Sequence, residues 1–226
     1  SPYWQTLVAS APAVSLIVVD PADGPGVRCD PNYTTAIATA RSAGVTVLGY
    51  LTLAYARQSW TQITSDLQKW SDWYVLDGIF VDEVPTGADG IPVCLEIYSD
   101  VKRRTGGSGK VVLNPGTQTR EDYMRACDVL VNCEATWATY RSSYPPAPAW
   151  VHSYPSERFW HLVHACPTER EMRMVLWLAR TRNAGWVYVT SSTDINAYAV
   201  LPADEYWKSE LEYATRPGDP RRLGRV

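Results

Sequence analysis

Short, nearly unbroken apolar runs recur along this chain and restrict its fold more than any other feature. They read VSLIVVD at 14–20, VTVLGYL at 45–51, GIFVDEV at 78–84, KVVLN at 110–114, DVLVNCE at 128–134 and WVYVT at 186–190. A strand with one wet face alternates apolar and polar residues. A continuous β-branched run is covered on both faces, as in a parallel sheet with helices outside it. Amphipathic stretches fill the intervals. Asp30 and Pro31 open a helix that Gly44 closes, the Asp/Pro start and Gly stop expected of helix ends. Thr64 or Ser65 is expected to cap a helix running toward Tyr74, with further helices over 92–105 and 120–127. Thr168-x-x-Glu171 is a capping box opening a helix to Arg182, and 204–216 forms a last helix. Residues 150–154 and 159–164 read as two more strands, with little helix between them.

Eight such units predict an α/β fold, a single compact (β/α)₈ TIM-type barrel over 1–226 with 217–226 as a frayed tail. The runner-up is a doubly wound open sheet, but PADGPG after the first strand lacks the dinucleotide fingerprint. Charged residues at 20% and hydrophobic ones at 46% exclude a disordered chain. A formal net charge of -3 carries no basic footprint for nucleic acid. No apolar run approaches the ~18 residues of a membrane span. Ser1 rather than Met begins the chain, so an earlier segment is expected to have been removed. Five cysteines leave at least one thiol free, and none sits in a C-x-x-C pair.

The polar strand ends locate the chemistry. Asp20, Tyr50, Asp82-Glu83, Asn114, Glu134, His164 and Thr190 all close strands, and catalytic groups of such barrels converge on the C-terminal rim. Neighbouring strand residues point to opposite faces, so a regular strand would send only one of Asp82 and Glu83 inward, whereas relaxed twist at a frayed strand end would let both reach the rim. Paired carboxylates around a cleft are what glycosidic cleavage requires: one delivers a proton to the leaving oxygen while another, ionised, attacks or stabilises the anomeric carbon. A divalent-cation site at Asp82-Glu83 is the alternative for clustered acids. The aromatic content favours a sugar site. Ten Trp and 14 Tyr stand against 2 Phe, and rings with a polar tip suit half-exposed stacking surfaces. Tyr50, Tyr55, Trp137, Tyr140, Tyr154 and Tyr188 fall at or just past strand ends. His161-x-x-His164-x-Cys166 does not make a metal cluster, because alternation parts the two histidines. GGSGK at 106–110 precedes its strand and is a turn, and no G-x-S-x-G esterase motif exists.

The segments DPADGPG, VTVLGYLTLAYAR, GIFVDEV, VVLNPGT, CEATWATY and LPADEYWKSE resemble, in order and spacing, the spherulin-4-like family of glycoside hydrolases over nearly the whole chain. That resemblance implies a (β/α)₈ barrel and endo-hydrolysis of α-1,4-linked N-acetylgalactosamine in galactosaminogalactan-type exopolysaccharides. It puts the family's adjacent acids on Asp82 and Glu83 and its further glutamate on Glu134, with Asp20 standing where Asn is expected. A chitinase pattern, DGxDxDxE, overlaps the third strand but fails, because its final glutamate falls on Val84. The expected catalytic groups are therefore Asp82, Glu83 and Glu134. Asp20, Tyr50, Arg57, Asn114, Trp137, Tyr154, His164 and Tyr188 are the expected substrate contacts. No metal or cofactor is expected. The expected partner is a polysaccharide, met by a secreted or cell-surface monomer; the rival reading is a non-catalytic glycan-binding coat protein on the same barrel.

Overall fold

The computed structural model describes residues 2–194, 196–214 and 222–225. Eight parallel strands close into a barrel in chain order. They are β1 (Val14–Val19), β2 (Thr46–Thr52), β3 (Gly78–Asp82), β4 (Lys110–Leu113), β5 (Val129–Thr136), β6 (Phe159–His164), β7 (Trp186–Val189) and β8 (Arg222–Arg225). Among the described residues seven α-helices accompany them: α1 (Pro2–Ala9), α2 (Pro31–Ser42), α3 (Trp60–Trp73), α4 (Ile91–Arg104), α5 (Trp137–Ser142), α6 (Glu169–Thr181) and α7 (Asp204–Ala214). The helices pack by helical period, as in Met172, Val175, Leu176 and Ala179 of α6, all buried against the sheet.

Several expected boundaries move. Ser59, not Thr64 or Ser65, caps α3, accepting from the Gln62 N–H. Residues 120–127 hold only a 3₁₀ turn over Glu121–Arg125, so no α-helix separates β4 from β5. The strand expected at 150–154 is a 3₁₀ turn over Ala149–Ser153, followed by Pro155. The true eighth strand lies inside the expected frayed tail: Arg222–Arg225 pairs with β7 on one side and β1 on the other. Of the rest of that tail, 217–221 and 226 fall outside the described residues.

Rings fill the barrel interior. Phe80 meets Trp160 edge-on at 5.8 Å between centroids, and Trp160 lies 6.2 Å from Trp186. A Cβ on Gly224 would come within 2.5 Å of the Trp160 ring, so β8 passes Trp160 only as glycine. Tyr50 stacks on Phe80 at 6.4 Å and begins the polar layer above this plug. Acids at the opposite, N-terminal strand ends are neutralised in place. Asp77 holds Arg41 at 2.8 Å and accepts from the Val47 N–H. Asp128 holds Lys102 at 2.9 Å and accepts from the Val111 N–H. The C-terminal rim is built differently.

Candidate active site

Asp82 ends β3 over the aromatic plug and receives three donors. The Tyr50 hydroxyl reaches Oδ2 at 2.8 Å, while the Asn114 amide and the Glu83 N–H reach Oδ1, each at 2.8 Å. These donors favour the anion, yet burial outweighs them and pushes the carboxyl up to about 6, with the Glu134 charge adding to the rise. Tyr50 is held above the ordinary tyrosine range, first by burial and then by the Asp82 charge, so it stays a proton donor to that carboxylate.

Asn114 joins two strands' worth of chemistry. Its Nδ2 donates to Asp82 at 2.8 Å and to Glu134 Oε2 at 2.9 Å. Its Oδ1 accepts from the Gly116 N–H at 2.9 Å, which turns the amide nitrogen toward the carboxylates. Both acceptor oxygens hang on one nitrogen, so they can lie no farther apart than those two bonds laid end to end. The local sequence Asn114-Pro115-Gly116 makes this possible. Gly116 adopts φ +68°, a left-handed turn, and its carbonyl accepts from the Glu134 N–H at 2.7 Å. A register shift in β5 between Val131 and Cys133 precedes Glu134 and re-aims the strand end.

Glu83 goes elsewhere. Its backbone sits at φ +50°, and its Oε2 accepts from the Thr52 hydroxyl at 2.7 Å. Its carbonyl accepts from the Tyr55 N–H at 2.9 Å, within a loop where Ala54, Tyr55 and Ala56 are also left-handed. Four non-glycine residues in this conformation store of order 1–3 kcal/mol each, a concentration typical of functional loops. The adjacent acids are thus split between the cavity floor and the β2–α3 loop.

A cavity of about 510 Å³ opens over this layer, lined by Asp20, Asp23, Tyr50, Asp82, Glu134 and Tyr198 among others, with no Lys, Arg or His on its wall among the described residues. Asp20 accepts from the Gly24 N–H at 2.8 Å, and its pKa is raised, mainly by desolvation, with help from Asp23. Among the described residues no salt bridge involves Asp20, Asp82, Glu83 or Glu134, in contrast to Asp77 and Asp128 below.

The other expected contacts scatter. Arg57 is exposed on the β2–α3 loop, outside the cavity wall. His164 and Tyr188 both pack against Tyr198, at 6.2 and 5.9 Å between rings, with Tyr188 fully buried. Burial lowers the His164 pKa. Trp137 and Tyr154 cannot touch a ligand in this cavity. Trp137 is turned outward, 5% exposed, its indole donating to Glu171 of α6 at 3.0 Å. Tyr154 lies at the N-terminal end of the barrel beside Phe159, with its hydroxyl on Glu121.

Sequence reasoning missed Tyr198, whose buried phenol meets Glu134. It sits in the loop after β7, where no periodic pattern marks it. It also missed Tyr3, Trp4 and Tyr33, which carry the cavity wall away from the acids on α1 and α2.

The spherulation-specific family 4 pattern matches residues 1–214. The chain belongs to this family. It is 26% identical over 199 residues to Spherulin-4 of Physarum polycephalum, a match covering 83% of the chain and 59% of that longer protein. It superposes on Sph3 of Aspergillus clavatus, solved in complex with GalNAc, with a TM-score of 0.79 and 25% identity over 95% of this chain and 92% of that one. The glycoside hydrolase domain of PelA from Pseudomonas aeruginosa shares the fold at 13% identity and a TM-score of 0.50, over 80% of this chain and 89% of that one.

Proposed function

We propose that this protein is an endo-acting glycoside hydrolase that cleaves α-1,4-linked N-acetylgalactosamine- or galactosamine-containing exopolysaccharide, outside the cell. The observation that carries the reading is the single Asn114 nitrogen shared by Asp82 and Glu134 at 2.8 and 2.9 Å. Two carboxyls this close match the ~5–5.5 Å of retaining glycosidases better than the ~6.5–9.5 Å that leaves room for an attacking water. The likeness to Sph3, whose complex contains GalNAc, supports the sugar class.

Asp82, held up at about 6 by burial, is still ionised at neutral pH and acts as the nucleophile on the anomeric carbon, its three donors offsetting part of the cost of that buried charge. Glu134, bound by Asn114 through Oε2, donates its proton to the departing glycosidic oxygen from its other oxygen. It then takes a proton from the water that attacks the glycosyl–Asp82 ester, which restores both carboxyls. Glu83 positions the β2–α3 loop through Thr52 and Tyr55. The test is incubation with purified galactosamine-containing and chitin-type polymers, with products read by mass. Oligomers from the former alone support the reading; no new reducing ends from any amino-sugar polymer would leave a glycan-binding protein instead.

A further inference from the structure

Trp4 and Tyr33 belong to two concavities at once. They end the wall of the catalytic cavity, and they begin a second groove of about 780 Å³ between α1 and α2, within the range of ligand sites. We infer that this groove is a remote subsite for the same polymer, taking neutral N-acetylated hexosamine units well away from the bond being cut. The inference rests on the hydrolase reading for the identity of the polymer.

Three features select this occupant. The groove adjoins the catalytic cavity, with Trp4 and Tyr33 lining both, so a chain leaving the acids past Asp20 reaches it by crossing these two rings. Its lining includes Gln5, Asn32, Thr35 and Thr39 and, among the described residues, no charged side chain, which suits a polyhydroxylated neutral ligand better than a nucleic acid or a charged peptide. Trp4 and Tyr33, both half-buried, meet edge to face at 6.5 Å and 86°, and Trp4 meets Tyr3 at 6.5 Å and 80°, so the exposed part of these rings offers an apolar surface to the C–H side of a sugar. Thr35 and Thr39 donate their hydroxyl protons to the Pro31 and Thr35 carbonyls at 2.9 and 2.8 Å. Each oxygen keeps its lone pairs as acceptors for sugar hydroxyls.

The experiment uses α-1,4-linked N-acetylgalactosamine oligomers from trimer to decamer, the wild-type protein and Thr35→Arg, which fills the groove from an exposed helix position. The ratio of kcat/KM for decamer over trimer should fall about tenfold in the variant, the loss typical of removing one good interfacial contact. An unchanged ratio would overturn the inference. Calorimetric titration of the decamer into both proteins separates this result from failure of the hydrolase reading. Weaker binding by Thr35→Arg upholds the groove even if the wild type cleaves nothing, and equal binding, or none, overturns it. A thermal melt checks folding, and Thr39→Arg serves as an independent block if Thr35→Arg does not fold.

Discussion

Replacing Asp82 by asparagine should make the protein more stable relative to wild type as the pH rises. The Asp82 carboxyl sits at about 6 against an ordinary 3.8, because burial costs the charged form more than its donors return. Between those values the folded state holds a proton that the unfolded chain releases. Wild-type stability therefore falls as pH climbs through this window, by 2.303RT for each proton and pH unit. A shift of about two units, at 1.36 kcal/mol each, corresponds to about 3 kcal/mol of destabilisation by the ionised group. Asn keeps the shape and one acceptor, and its amide can donate to the Tyr50 oxygen, so the variant lacks the titration without opening a cavity. Urea unfolding of both proteins from about pH 4 to about pH 7.5 measures the difference. The variant-minus-wild-type free energy should rise by about 2–3 kcal/mol across that range. A difference independent of pH, or one that shrinks as pH rises, would refute the argument that Asp82 is an internally destabilised charge.

Three further outcomes follow from the same geometry. If Asp82 must be ionised to act, kcat/KM should lose about tenfold per unit below a pH of about 6, measured on soluble oligomers; a rise in activity there would make Asp82 the proton donor instead. Asn114→Ala removes the donor shared by both carboxylates and should lower kcat by about 10²-fold with little change in KM, read by steady-state kinetics. Trp137→Phe should leave turnover intact and lower unfolding free energy by about 1–3 kcal/mol, since it removes the hydrogen bond to Glu171 and trims a buried ring that also lies under Arg141, all on the outside of the sheet.

The barrel was readable because continuous apolar runs have one cheap solution, burial on both faces, and the acids at their ends mark the rim. Where reading failed, the local signal was too short or was shared with something else. The strand Arg222–Arg225 is four residues in a basic, Pro/Gly-rich tail, and it exists only because β1 and β7 leave a gap for it. Residues 150–154 carry strand-like Trp, Val and Tyr, but prolines at 145, 146, 148 and 155 break up the flanking backbone. Asp82 and Glu83 could not be told apart by alternation, since the distinction lies in a left-handed φ at Glu83 that the sequence DEV does not announce. Trp137 follows Glu134 by three residues yet belongs to α5, whose period turns it toward α6. Tyr198 depends on long-range packing against Tyr188 and His164, which no local pattern encodes.

The most direct test compares the polymer cleavage of wild type with that of Asp82→Asn and Glu134→Gln, each verified as folded and able to bind the same polymer. Each variant is expected to lose turnover by about 10²–10⁴-fold, as removal of a catalytic acid or base does. Two folded variants that still release reducing ends at the wild-type rate would mean that the carboxylates joined through Asn114 are not where the bond breaks.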